Sequence, residues 1–307
     1  MIFIKIIYEN TKIDINVSGC EVIDNMGGKA DSLAITFADI KNECRKWEFK
    51  KNHIVEVIEE PFSTGKMYVD EFGCGGGIYT IKALSIKKKA KTKRTRTWEN
   101  VKFSTLINDL AKEIDLQIET YGAVKDFEYS RVDQIEKNNI EFLNERCQLE
   151  GYNLKICDGK AIIVSEEFLN TQKEALTLNP TEFLGKYSFN STSKNIYGGC
   201  ELSYSSSKII KSKFIRDNYG EVLKINNLLV NDSYEGERFA KNILNSYNKY
   251  ETIGNFYLNK NTNIAAGVKV KIERLDYFNG DYIIDRVYQE LVQGKTKVKV
   301  RKVLEEI

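Results

Sequence analysis

Residues Asn138 to Val164 read NNIEFLNERCQLEGYNLKICDGKAIIV, and the pattern changes at its midpoint. In the first half Ile140, Leu143 and Cys147 recur at helical spacing and share one face. Asn138 is placed to cap this helix by accepting a backbone N–H bond, and Glu141 sits where a capping-box acid reaches back. Gly151 suits the left-handed position just past a helix end. Two short β-like runs follow, YNLKIC and KAIIV, separated only by Asp158-Gly159, a pair that tolerates the positive φ angles of a type I′ turn. The stretch therefore predicts helix, stop and hairpin: a small α/β module with no catalytic-looking side chain.

The sequence on either side of this module reads differently. Up to about residue 90 the signal has period two. Ile2, Ile4 and Ile6 alternate with Phe3, Lys5 and Ile7; Ile13, Ile15 and Val17 follow, then Leu33, Ile35 and Phe37, then Val55 and Val57. Alternation sets one face of each strand on a core, and several short strands broken by turn residues predict a barrel or sandwich. Just before the quoted stretch, Ile107, Leu110, Ala111 and Ile114 form a second helical stripe, with Ser104 as its candidate cap. After about residue 166 strands return, interrupted by one helix near 235–250. There Phe239, Ile243 and Tyr247 make a stripe, and Asp232 or Ser233 is the candidate cap. Val268, Val270 and Ile272, a turn at Asn279-Gly280, and Val298 and Val300 alternating with lysines predict a half-buried antiparallel sheet. The expected fold class is α+β, mainly β. Its expected units are a first β unit over 1–96 ending in a basic linker, an α/β insert over 97–165, and a second β unit with one helix over 166–307.

Composition narrows the chemistry. A length of 307 residues with 42% hydrophobic content supports more than one core, and a net charge of +2 favours no polyanion in bulk. No apolar run approaches the roughly eighteen residues of a spanning helix, and the N-terminal run is too short for a secretory signal, so a soluble protein made in the cytoplasm is expected. The six cysteines are scattered without a C-x-x-C pair and read as reduced, packed thiols. A single histidine, His53, leaves little for acid–base catalysis and nothing for a multi-histidine metal site. The stretch FGCGGGIYT (72–80) looks like a phosphate-binding loop, but the residues after it alternate like a strand instead of opening a helix, so it reads as a strand connection. No catalytic, metal or cofactor site is expected. The one candidate contact segment is the run Lys87 to Arg96, with seven cations in ten residues: Lys87, Lys88, Lys89, Lys91, Lys93, Arg94 and Arg96. It reads as an extended linker that touches a partner or a channel lumen, the alternative being phosphate contact.

Three stretches in this order resemble the late control protein D family, the tail-hub proteins of contractile-tailed phages and phage-tail-like particles. They are MYVDEF (67–72) with its following strand and RTRTWEN; EFLNERCQLEGYNLKICDGKAIIV; and GERFAKNILNSYNKYETIGNFYLNKNTNIAAGVKVKIERLDYFNGDYIIDRVYQEL, which combines a helix, a strand, the glycine-led strand at Gly267, an NG turn and a returning strand. The resemblance implies two related tube-like β-barrels flanking the insert, and a homotrimer whose six barrels match a hexameric tail tube above and a trimeric spike below. It implies tube, spike and other baseplate proteins as partners, and no cofactor. No extension follows Ile307, so any piercing or wall-cutting domain is expected on a partner. The alternatives are a nucleic-acid-binding protein using 87–96, or a cell-wall hydrolase with a carboxylate pair.

Overall fold

The computed structural model describes residues 4–205, 209–217 and 220–304; Ile2 and Phe3 of the first alternating run lie outside them. The alternating runs fold as read. In β4 (Ser32–Ala38) Leu33, Ile35 and Phe37 are buried while their neighbours face outward. The same logic forms β1 (Lys5–Tyr8), β2 (Thr11–Ile13), β3 (Val17–Asn25), β5 (Ile54–Glu59), β6 (Phe62–Ser63), β7 (Met67–Gly75) and β8 (Ile78–Leu84). Their inward side chains, including Ile6, Val22, Ile35, Val57, Val69 and Ile81, make one closed core. The glycine stretch is the β7–β8 hairpin turn: Gly76 and Gly77 both have positive φ, and a strand follows, as read from the sequence.

Next come β9 (Lys93–Lys102), α1 (Phe103–Glu113), β10 (Gln117–Tyr121), β11 (Glu128–Asn138), α2 (Asn139–Leu149), β12 (Tyr152–Cys157), β13 (Lys160–Ser165) and α3 (Glu166–Thr171). The quoted stretch is helix, stop and hairpin. Asn138 accepts N–H bonds from Ile140 and Glu141, and the Glu141 side chain returns to the Asn138 N–H. Gly151 has φ +78°, and Asp158 and Gly159 have φ +45° and +70°. Ser104, expected as the cap of α1, lies inside that helix instead. The carboxylate of Asp126, from the loop before β11, accepts its N–H and hydroxyl and does the capping.

The chain continues through β14 (Leu176–Leu178), β15 (Ser188–Ser191), β16 (Gly199–Ser205), β17 (Ile209–Ile215), β18 (Val222–Asn226) and α4 (Ser233–Asn248), then β19 (Thr252–Asn259), β20 (Lys269–Ile272), β21 (Gly280–Glu290) and β22 (Lys295–Lys302). Three expectations need correction here. Helix α4, capped by Asp232 as read, was expected in the second β unit. Its buried face (Phe239, Ala240, Ile243, Leu244) instead joins the core of α1, α2, β12 and β13, together with Cys200 and Leu202 of β16. Tyr247, expected on that face, is 41% exposed and stacks edge-on against Tyr197. The β20–β21 connection is not a two-residue Asn279-Gly280 turn. It spans residues 273–279 with a 3-10 turn at Asp276–Phe278, because Asn279 keeps a negative φ and its side chain accepts the Leu275 N–H.

The two β units share a plan. In the first, strands lie in the order β3-β4-β8-β7-β5-β1; in the second, β15-β19-β22-β21-β20-β14. Numbered by chain position within each unit, leaving aside the accessory β2 and β6, both orders are the same. β21 leaves register with β22 by a bulge at Asp285, and β7 leaves register with β8 by a bulge at Asp70. Aligned on these bulges, Val69 matches Ile284, Ile81 matches Val298, Val55 matches Val270 and Val57 matches Ile272, each pair buried. The one reversal is the last strand, since β1 runs antiparallel to β5 whereas β14 runs parallel to β20. The second unit has its own core around Phe256, Val270, Ile284 and Val298. The two units are nonetheless one sheet, because Arg286–Glu290 of β21 pairs with Glu21–Asn25 of β3.

Candidate interaction surface

The basic run is folded into the structure and largely neutralised from within. Lys88–Lys91 form a single 3-10 turn with Lys87 extended just before it, and Lys93, Arg94 and Arg96 begin β9, where that strand pairs with β11. The linker expected to end at residue 96 is thus partly a strand of the insert. Asp115 accepts from Lys87 at 2.8 Å and pairs with Lys89 at 2.7 Å; Lys91 meets Asp70 at 2.9 Å. Glu113 holds Arg94 at 3.5 Å and also Arg96, whose guanidinium lies 4.4 Å from the Trp98 ring centre. Bonds from Lys87 and Lys89 hold the Asp115 carboxyl below the usual range. Partial burial pushes Glu113 upward, but bonds from Arg96 and Asn139 outweigh it and leave that carboxyl lowered as well. Among the described residues only Lys88 and Lys93 of the seven make no ion pair. Because internal carboxylates already serve as counterions, release of solvent ions on binding a polyanion would be small.

The surface that sequence reading missed is the outward face of the long sheet. Pairing lines up side chains from strand to strand across the seam. One row runs Lys295, Glu290, Glu21, Ala34, Lys82, Glu71. The next runs Tyr257, Lys297, Tyr288, Ile23, Ser32, Leu84. All of these side chains are exposed or half-buried, so a mixed-charge face spans both β units. A shallow hollow of about 330 Å³ lies over the seam between Ile23, Tyr257, Arg286 and Tyr288. Burial together with the hydrogen bond to Glu21 raises the Tyr288 hydroxyl well above its usual range, so it stays a neutral donor. The sequence carried half of the signal: lysines alternating with Val298 and Val300 mark one polar strand face, but not which strands continue it.

A cleft of about 440 Å³ lies in the α/β module beside Phe127, Tyr152, Arg238 and Lys241. Its two buried carboxylates are both tied to cations. Glu150 accepts from Arg238 at 2.8 and 3.2 Å and from the Tyr129 hydroxyl at 2.6 Å. Glu166 pairs with Arg301 at 2.6 Å and Lys249 at 3.5 Å, and accepts from Asn153 at 2.7 Å. Burial alone would raise Glu166, but the two cations hold it down at about 2. A carboxylate held ionised is unsuited to be the proton donor of a glycosidase pair, which needs one raised acid. Two other carboxyls are raised: burial lifts Glu235 on α4 against the bonds it receives from Asn231, and burial pushes Asp31 to about 7, with Asp24 adding to the rise and Lys155 opposing it. Asp31 sits at the junction of β3 with β12, where it accepts the Asn25 N–H, and its own N–H is donated to Ser85. His53 accepts or donates one bond with the Tyr8 hydroxyl at 2.8 Å, under the first core. Four cysteines are buried, Cys157 is half-buried and Cys74 is exposed. Among the described residues no helix is long and apolar enough to cross a membrane.

No protein-family model matches the chain, and no curated protein is similar to it in sequence. Solved structures are similar in fold. The 43 kDa tail protein of prophage MuSo2 from Shewanella oneidensis matches with a TM-score of 0.75 at 10% identity, over 97% of this chain and 98% of that one. A tail protein from Neisseria meningitidis matches at 0.76 and 9% identity, over 97% and 96%. A type VI secretion system component of E. coli, itself structurally similar to bacteriophage tail proteins, matches at 0.65 and 9% identity, over 98% of this chain and 77% of that one. The fold is therefore the mainly β fold of phage tail proteins, two barrel-like units around an α/β module, as the resemblance implied.

Proposed function

We propose that this chain is the baseplate hub of a contractile phage tail or phage-tail-like particle, joining a hexameric tail tube to a trimeric spike. The observation that carries the reading is the doubled β unit. Two units of the same strand order, fused edge to edge, let three chains present six similar units around a ring. Such a ring meets a six-fold tube on one side and keeps three-fold symmetry for a spike on the other. The fold likeness to tail proteins along nearly the whole chain supports this reading. The polar sheet face is the surface we assign to the channel or to the tube ring. Lys88 and Lys93 are the members of the basic run left to touch a partner. The role is structural: the clefts offer tied carboxylates, and we place piercing or wall-cutting chemistry on partners. The protein would be made in the bacterial cytoplasm and end in the assembled particle.

The test is the structure of the assembled particle. We expect three copies between the tube and the spike; a different copy number, or a position elsewhere in the particle, overturns the hub reading. The nucleic-acid alternative predicts steeply salt-dependent binding of DNA to the purified chain, lost on neutralising residues 87–96.

A further inference from the structure

The seam inside the chain has a counterpart with one side missing. By strand order β7 stands in the first unit where β21 stands in the second, and β15 stands where β3 does. β21 pairs with β20 over its first residues, bulges at Asp285, and then pairs through Arg286–Glu290 with β3. β7 pairs with β5 over its first residues, bulges at Asp70, and then continues through Glu71–Gly75 with no strand on that edge among the described residues. Burial differs accordingly. Val287 and Gln289 are 1% and 2% exposed, whereas Phe72, the counterpart of Val287, is 37% exposed, and Cys74, the counterpart of Gln289, is exposed. β3 is paired on both edges, but among the described residues β15 pairs only with β19. Each chain thus carries one free copy of each half of a contact it already makes internally.

We infer that the second half of β7 pairs antiparallel with β15 of another copy of this chain, in the register that β21 uses on β3. Transferring that register sets Gly75 opposite the partner's Ser188 and Gly73 opposite the partner's Asn190. The contact is heterologous, so it propagates in one direction and either closes a ring or builds a filament. It covers both exposed edges at once and takes Phe72 out of water. The number of copies at which the ring closes rests on the hub reading above; the pairing rests on the repeated strand order alone.

Cysteine cross-linking in the full chain tests it. With Cys74→Ser removing the exposed thiol, Gly73→Cys and Asn190→Cys are combined. The first site has room for a side chain, its nearest neighbour being the Thr80 hydroxyl at 4.0 Å, and the second is exposed. Residues directly opposite on antiparallel strands have Cα atoms about 4.5–5.5 Å apart, within disulfide reach. Under mild oxidation we expect covalent dimer and then trimer as the terminal band on a non-reducing gel. Gly73→Cys with Ser188→Cys, two residues out of register, should react about tenfold more slowly, and either cysteine alone should leave monomer. Trimers by native mass spectrometry without the cross-link overturn the pairing and leave the three-copy reading intact. Cross-linked products that grow past three copies uphold the pairing and overturn that copy number. Monomer with no cross-link at the highest soluble concentration overturns the pairing.

Discussion

Replacing Glu150 with Gln isolates what holds α4 against α2. The Glu150 side chain is fully buried and receives three hydrogen bonds, two from Arg238 on α4 and one from Tyr129 on β11. Gln keeps the volume and one acceptor, but leaves the Arg238 guanidinium, 16% exposed, without its counter-charge. Breaking a buried pair by removing one partner costs about 3–5 kcal/mol. Arg238 keeps its stacking on Phe127 at 3.8 Å, so the lower end applies and about 3 kcal/mol is expected. For a domain of this size each kcal/mol shifts the melting midpoint by about 2–4 °C, which gives a fall of roughly 6–12 °C. Thermal unfolding followed by circular dichroism measures it directly. Arg238→Met supplies the second arm: the double variant should be less destabilised than the sum of the singles by about 2 kcal/mol, because the orphaned cation is gone. A Glu150→Gln protein that melts within 2 °C of the parent, or singles that simply add, would refute the account of this pair as the clamp of the module.

Three further outcomes follow from other sites. Asp31 binds a proton more tightly folded than unfolded, so its contribution to stability is complete below about pH 4 and is lost as pH rises towards 7; Asp31→Asn should flatten the stability of the protein between pH 5 and 8 by about 2 kcal/mol relative to the parent, and parallel denaturation curves at the two pH values would contradict this. Ile243→Asp places an unpaired charge in the core beside Phe239 and Leu244 and should cost several kcal/mol; a melting point within a degree or two of the parent would mean that the packing face of α4 is misassigned. Replacing Lys87, Lys88 and Lys89 with Ser removes two exposed pairs to Asp115, each worth under about 1 kcal/mol, so folding should survive, and failure to fold would make the run part of a core.

Local features were legible where one short segment contained the whole cause. The Asn138–Glu141 box, the left-handed Gly151 and the Asp158-Gly159 turn each need only their own neighbours. The same holds for the alternation that builds β4 and β22. What failed needed a distant partner. Ser104 was read as a cap because the acceptor that takes its N–H, Asp126, lies in another loop. The basic run was read as an extended linker because nothing in 87–96 reveals Asp70, Glu113 and Asp115 across from it. Helix α4 was assigned to the second β unit, whose strands flank it in sequence, although its apolar stripe fits the α/β module. The extent of the polar face was hidden for the same reason. Each strand shows only its own alternation, and the rows across the seam exist only once β21 lies on β3.

That seam also sets a timetable for synthesis. Asn25 and Arg286 are paired neighbours, yet about 260 residues of chain separate them. At ribosomal speeds of about 5–20 residues per second, the β21-facing edge of β3 waits roughly 13–50 s for its strand to emerge. During that interval the first unit carries an unpaired edge able to capture strands of neighbouring nascent chains. Glu21 and Asp24 lie on this edge, where their charges discourage such capture until β21 arrives, so a late-emerging strand completes a surface begun by a much earlier one.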